Sequence, residues 1–246
     1  MTTSRSRLLL GTLAVLDYWK RRYTPLIIVV GVTVTGALAF ALTGQSERAR
    51  YVLAVLAVFP PVVAGLLMMS GIVSEDRESG LILMWFQKPA RLFRTYALRY
   101  AISQAVLLLL GTCLGLAMAG VALVGNLYSA GEALRWVFPV WVFAFVSGAM
   151  VFALSAWGAR RDSTIALLLI IASLTLAART AVDDSSRAQI FRAFAFPLEA
   201  ATVLSGSRTS PSLQYSIVVA LAHALGWTIV GLLGLRFAER ALTRGR

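Results

Sequence analysis

Three carboxylates stand within four residues at Glu75, Asp76 and Glu78, at the head of a charged passage, Ser74 to Arg99, that separates two strongly apolar segments. Ser74 can cap a helix whose first turn carries these acids, the favourable sign for the positive end of a helix dipole. Gly80 weakens that helix. Leu81, Ile82, Met84, Trp85 and Phe86 form an apolar patch, and Lys88-Pro89 imposes a turn before Arg91, Arg94 and Arg99. The product is a short helix, a bend and a second helix, with an exposed corner that has acid on one side, aromatics in the middle and base on the other. That is a shape for gripping a soluble partner in its groove.

Other residue types invite chemistry and carry less of it. His223, on an apolar segment, is a functional candidate because ionisable groups are costly there, and Ser147 with Gly148 on another apolar segment could partner it. Asp183-Asp184, beside Ser185 and Ser186, reads as a turn or a helix start. One cysteine, Cys113, permits no disulfide framework or Cys-rich metal site within the chain. Neither a G-x-x-x-x-G-K-[ST] phosphate loop nor an H-E-x-x-H pattern occurs, so the chain does not hydrolyse ATP by that route, and no metal or other cofactor is expected in it.

The elements that hold these residues are set by composition. Of 246 residues 59% are apolar and 14% charged, and the mean hydropathy is +0.78, which indicates an integral membrane protein. The net charge of +12 comes from basic residues that flank apolar runs and do not interleave with exposed aromatics, which favours a lipid bilayer over nucleic acid as the partner. Arg5 and Arg7 before Leu8 to Leu16 imitate a secretory signal, but Asp17, Lys20, Arg21 and Arg22 stand where a cleavage site should be.

The expected fold is all-α, a single polytopic transmembrane domain over residues 1–246 with six crossings at about 25–42, 51–73, 100–127, 136–159, 163–178 and 213–235. Ser6 to Tyr23 reads as an amphipathic interfacial helix, and Gln45 to Arg50 as a short polar turn. Phe59-Pro60-Pro61 falls at mid-depth of the second crossing, where two missing donors should kink or break the helix. Gly125 to Arg135 forms the next turn, and Arg160-Arg161-Asp162 makes a tight basic hairpin. Thr180 to Ser212 reads as short helices in or dipping into the outer interface, and Arg236 to Arg246 as a basic tail.

With both termini inside, the inner segments hold 16 of the 23 basic residues. The positive-inside rule therefore places Ser74 to Arg99 and both termini in the cytoplasm.

Two families are resembled. Ser147 and His223, on different helices, resemble the pair used by rhomboid intramembrane proteases, although Phe145 stands where a glycine is expected and no oxyanion donor is identifiable. The run Asp76-Arg77-Glu78-Ser79-Gly80, followed nine residues later by Pro89 and then Arg91, resembles the acid-x-x-x-Gly and Pro-x-x-Arg-like signature between the second and third crossings of type-2 ATP-binding-cassette exporter permeases. Leu81 replaces the usual threonine, and the arginine follows Pro89 by two positions. The second resemblance extends over nearly the whole chain.

It implies a transport subunit of the plasma (inner) membrane, not an enzyme, that pairs with a second copy or a related permease and docks a separate ATPase subunit holding ATP and Mg. Glu75, Asp76, Glu78, Gly80, Trp85, Pro89 and Arg91 would form the docking, or coupling, segment. Phe59, Pro60, Pro61, Leu168, Ile171 and Thr175, on the second and fifth crossings, would line the pathway of a hydrophobic or amphipathic substrate.

Overall fold

Where no water can reach the backbone, each N–H and C=O must find its partner inside the segment, and the helix is the local solution. A computed structural model describes residues 23, 27, 30–38, 46–80, 92–135, 137–180, 197 and 213–244, and among these the only regular structure is helical. Residues 30–38 are helical, and seven further helices follow: α1 Ser46–Met69, α2 Ser74–Glu78, α3 Leu92–Val124, α4 Ala130–Leu134, α5 Val137–Ala156, α6 Asp162–Thr180 and α7 Leu213–Arg244. Among the described residues four stretches are long and apolar enough to cross a membrane: Val55–Glu78, Leu92–Val124, Ala130–Ala156 and Val218–Arg240. The apolar part of α6, Asp162–Thr175, is shorter.

The centre is α5. It carries no charged residue, and a helix with no polar face belongs in an interior. Accordingly α1, α3, α6 and α7 all pack against it, and Phe143, Val146, Val151 and Phe152 are buried. Gly65 of α1 lies against Ser147, and Val73, just beyond α1, against Ser155, so α1 runs parallel to α5. Gly231 meets Phe152 and Gly234 meets Trp157, which makes α7 parallel as well. Gly148 meets Gln104 and Leu107 while Gly115 meets Val137, so α3 runs the other way.

Two apolar clusters result. One surrounds Met69, Ile72, Tyr96, Leu107, Phe143 and Phe152, towards the end that bears α2. The other joins Ala37, Leu53, Ala57, Leu114, Met118 and Val140, towards the end that bears α4.

Several boundaries differ from the sequence expectation, each for a local reason. Residues 46–50, expected as a turn, are already the first turn of α1. The helix runs unbroken through Pro60 and Pro61, which remove the usual donors to the carbonyls of Leu56 and Ala57; both prolines are buried in the bundle, whose packing holds the helix together.

Of the helices expected as crossings, the second ends at Met69, not residue 73, with Ser70–Val73 forming a turn. The third begins at Leu92, eight residues before the expected start, and ends at Val124. Within the expected turn after it, Ser129 and Glu132 form a capping box that starts α4. The fourth is shortened to Val137–Ala156, and the basic tail continues α7 as helix to Arg244. The proposed interfacial helix before Tyr23 and almost all of the passage from Thr180 to Ser212 lie outside the described residues.

Gly65 and Gly120 separate packing from propensity. A methyl at Gly65 would overlap the Ser147 hydroxyl and the Ala144 carbonyl, whereas a methyl at Gly120 meets nothing within 4 Å. Gly65→Ala is expected to lower stability by roughly 2 kcal/mol through overpacking. Gly120→Ala should raise it by about 0.5–1 kcal/mol through helix propensity. Thermal unfolding of the purified protein in detergent measures both.

Candidate functional site

Between the end of α1 and the start of α2 the backbone N–H groups have no complete set of helical acceptors, and side chains of other helices supply them. Gly71 takes a left-handed conformation, φ +69°, that few side-chain-bearing residues adopt. Its N–H donates to Asp162 Oδ2 at 2.9 Å. The N–H groups of Val73 and Ser74 both donate to Ser155 Oγ, each at 3.0 Å. Ser155 in turn donates to Ser74 Oγ at 3.2 Å, and the Ser74 hydroxyl donates to Asp162 Oδ2 at 3.0 Å. The turn is thereby tied to the last turn of α5 and the first residue of α6.

Asp162 is only 2% exposed. Its other oxygen accepts from the Ser163 N–H at 2.7 Å and the Ser70 hydroxyl at 3.4 Å. These four donors are neutral, and the carboxylate also stands at the positive end of α6. A buried carboxylate is tolerated when its lone pairs are filled in this way.

This corrects one expectation: Ser74 does not cap α2 with its side chain, because its hydroxyl is engaged by Asp162.

The three acids of α2 part company. Asp76 turns inward, where Arg99 Nη1 lies 2.6 Å from its Oδ2 and the Tyr96 hydroxyl donates to the same oxygen at 2.8 Å. The Arg99 and Asp76 side chains are 9% and 15% exposed, and the guanidinium lies 5.3 Å from the centre of the Tyr96 ring. Glu75 and Glu78 face outward, with Glu78 Oε1 at 3.8 Å from Arg160 Nε. Arg77 reaches back to the Ala156 carbonyl at 3.5 Å. Gly80, expected to weaken the helix, ends it: at φ +73° its N–H donates to the Arg77 carbonyl. Trp85, Pro89 and Arg91 lie outside the described residues, as do Asp183 and Asp184.

A polar chain continues inward from this end. The Tyr100 ring stacks on Phe152 at 4.0 Å, and its hydroxyl lies 2.6 Å from Thr228 Oγ1 on α7. Gln104 Nε2 donates to the Tyr100 hydroxyl at 3.2 Å and to the Phe145 carbonyl at 3.3 Å.

The other sequence candidates fall elsewhere. Ser147 is sealed against Gly65, with its hydroxyl on the Phe143 and Ala144 carbonyls of its own helix, the placement of a helix-packing serine. His223 is half-buried on α7. Phe59, Leu168, Ile171 and Thr175 lie on the outer surface while Pro60 and Pro61 face inward, so the six pathway candidates do not share one face. Among the described residues no group of three His, Cys, Asp or Glu side chains could hold a metal ion.

Asp162, Ser155 and the Asp76–Arg99 pairing are the residues that sequence reasoning missed. Asp162 had a signal, an acid at the first position of an apolar helix. Ser155 and Gln104 had a weaker one, as hydrogen-bonding side chains inside apolar runs.

The two ion pairs of α2 should respond differently. Replacing Arg99 by Met leaves Asp76 charged and nearly enclosed, and should cost roughly 3 kcal/mol in thermal or denaturant unfolding. Replacing the exposed Arg160 by Met should change stability by less than about 1 kcal/mol. No family model, no curated protein and no solved structure matches the chain, so the role of this site has to be read from its own residues.

Proposed function

We propose that the chain is the permease subunit of an ATP-binding-cassette exporter, with Ser74 to Arg99 as the segment on which a separate ATPase subunit docks. One observation carries the reading: the short α2 and the turn before it are fastened to four longer helices at once. Asp76 binds α3 through Arg99 and Tyr96, and the 70–74 turn, continuous with α1, binds Ser155 of α5 and Asp162 of α6. A load applied to α2 is thus delivered to α1, α3, α5 and α6 together, as a coupling element requires.

In this reading the chain crosses the plasma (inner) membrane six times, with residues 30–38 in the first crossing and α6 as the fifth, and both termini in the cytoplasm. The distribution of arginines supports the orientation. Among the described residues Arg77, Arg94, Arg99, Arg160, Arg161, Arg236, Arg240 and Arg244 stand at the α2 end, against Arg48, Arg50, Arg135 and Arg179 at the other. A second permease copy or relative completes the transporter, ATP and Mg belong to the ATPase, and the substrate is hydrophobic or amphipathic. Glu75 and Glu78 are the acids left to face the ATPase, because Asp76 holds the bundle.

Glu75→Lys combined with Glu78→Lys tests the docking role without touching the buried pairs. Co-purification with the ATPase subunit of the complex should fall about tenfold, a loss of about 1.4 kcal/mol, while the thermal stability of the permease is kept. Undiminished co-purification and substrate-stimulated ATPase activity in the double variant would overturn the assignment.

A further inference from the structure

Three polar atoms on one stretch of α3 are enclosed without a protein partner: Arg99 Nε, Ser103 Oγ and Gln104 Oε1. The residues that carry them are 8%, 1% and 4% exposed. Inside a bundle of apolar helices such groups are costly when left dry.

The orientation of the Gln104 amide decides what is missing. Phe145 offers a carbonyl, which can only accept, so the side chain must present Nε2 to it. The remaining bonds then fall into one sense: Thr228 donates to the Ala224 carbonyl, Tyr100 therefore donates to Thr228, and Gln104 Nε2 donates to Tyr100. Turning the amide over would point an oxygen at the Phe145 carbonyl. Gln104 Oε1 is thus an acceptor in need of a donor. Arg99 Nε–H is a donor in need of an acceptor, and the Ser103 hydroxyl can serve as either.

From these three groups we infer an internal water site on α3, formed by Arg99, Ser103 and Gln104 and lying within the membrane bundle just inside the Asp76–Arg99 pair. The set of one donor, one acceptor and one hydroxyl matches the two to four hydrogen bonds that a buried water makes. It matches no ion, since Arg99 is engaged by Asp76 through Nη1 and neither Ser103 nor Gln104 carries a charge. The water continues the polar chain that begins at Asp76 and Tyr96, and it would let α3 keep its polar groups bonded where α5 and α7 pack over them.

Ser103→Ala separates a hydrated site from a dry one by the sign of the effect. Alanine is the better helix former, and it removes a hydroxyl that has no protein partner, so a dry site predicts an unchanged or higher Tm. A hydrated site loses one of the bonds that hold its water, and Tm should fall by about 2–5 °C. Water-edited solid-state NMR of the full chain in bilayers supplies the second readout, with the Gln104 side-chain amide assigned through Gln104→Asn. Transfer from water to that amide should be fast, and transfer to the backbone amide of buried Leu107 slow. A Tm that does not fall, or a Gln104 signal as slow as that of Leu107, would falsify the site.

Discussion

One serine hydroxyl receives two consecutive backbone amides, and the arrangement of the α2 end follows from that. Ser155 sits on the last turn of α5 and accepts from both Val73 and Ser74. Those amides stand at the N-terminal end of α2, where a helix offers its first N–H groups no acceptors of its own. Because the acceptor is a side chain of the central helix, the place where α1 ends is fixed against α5, and not merely against the next residue along the chain. Asp162 does the same for Gly71 from the start of α6. Together they make a turn, ordinarily the softest part of a helical protein, into the point where several helices are joined.

The same solvent logic explains why charge is arranged as it is. Asp162 is held by neutral donors and a helix N-terminus, whereas Asp76 is held by an arginine and a tyrosine. Both carboxylates are largely enclosed, yet only one carries a cation with it. The exposed Glu78–Arg160 contact adds little, since water competes for both groups. Depth and hydrogen bonding, and not the number of acids in the sequence, separate the enclosed carboxylates from the exposed ones.

Much of the architecture was legible in the sequence. Apolar runs of sufficient length announced long apolar helices, four of which are long enough to cross a membrane among the described residues, whereas nothing in the sequence reading singled out α5 as the helix the others pack around. The misjudged places are those where a distant residue decided the outcome. Ser74 looked like a cap because serine before three acids usually is one; the competing acceptor, Asp162, is 88 residues away. Asp76 looked like a third surface acid until α3 began early enough to bring Tyr96 and Arg99 beside it. Pro60 and Pro61 looked like a break, but packing on an enclosed helix overrode the local rule. Gly80, in contrast, did what an unhindered glycine after a short helix does, and its position next to a charged turn was the signal.

The lengths of the helices carry a last consequence. At 1.5 Å per residue the 20 residues of α5 span about 30 Å, close to the thickness of a bilayer's hydrocarbon layer. The 33 residues of α3 and the 32 of α7 span nearly 50 Å. The enclosed helix therefore matches the membrane while two of those wrapped around it overhang it. Mismatch with a thinner or thicker bilayer is accommodated by tilt of the longer helices. Of the two overhanging helices, α3 is the one that carries Arg99, towards its N-terminal end, where the ion pair with Asp76 joins it to α2.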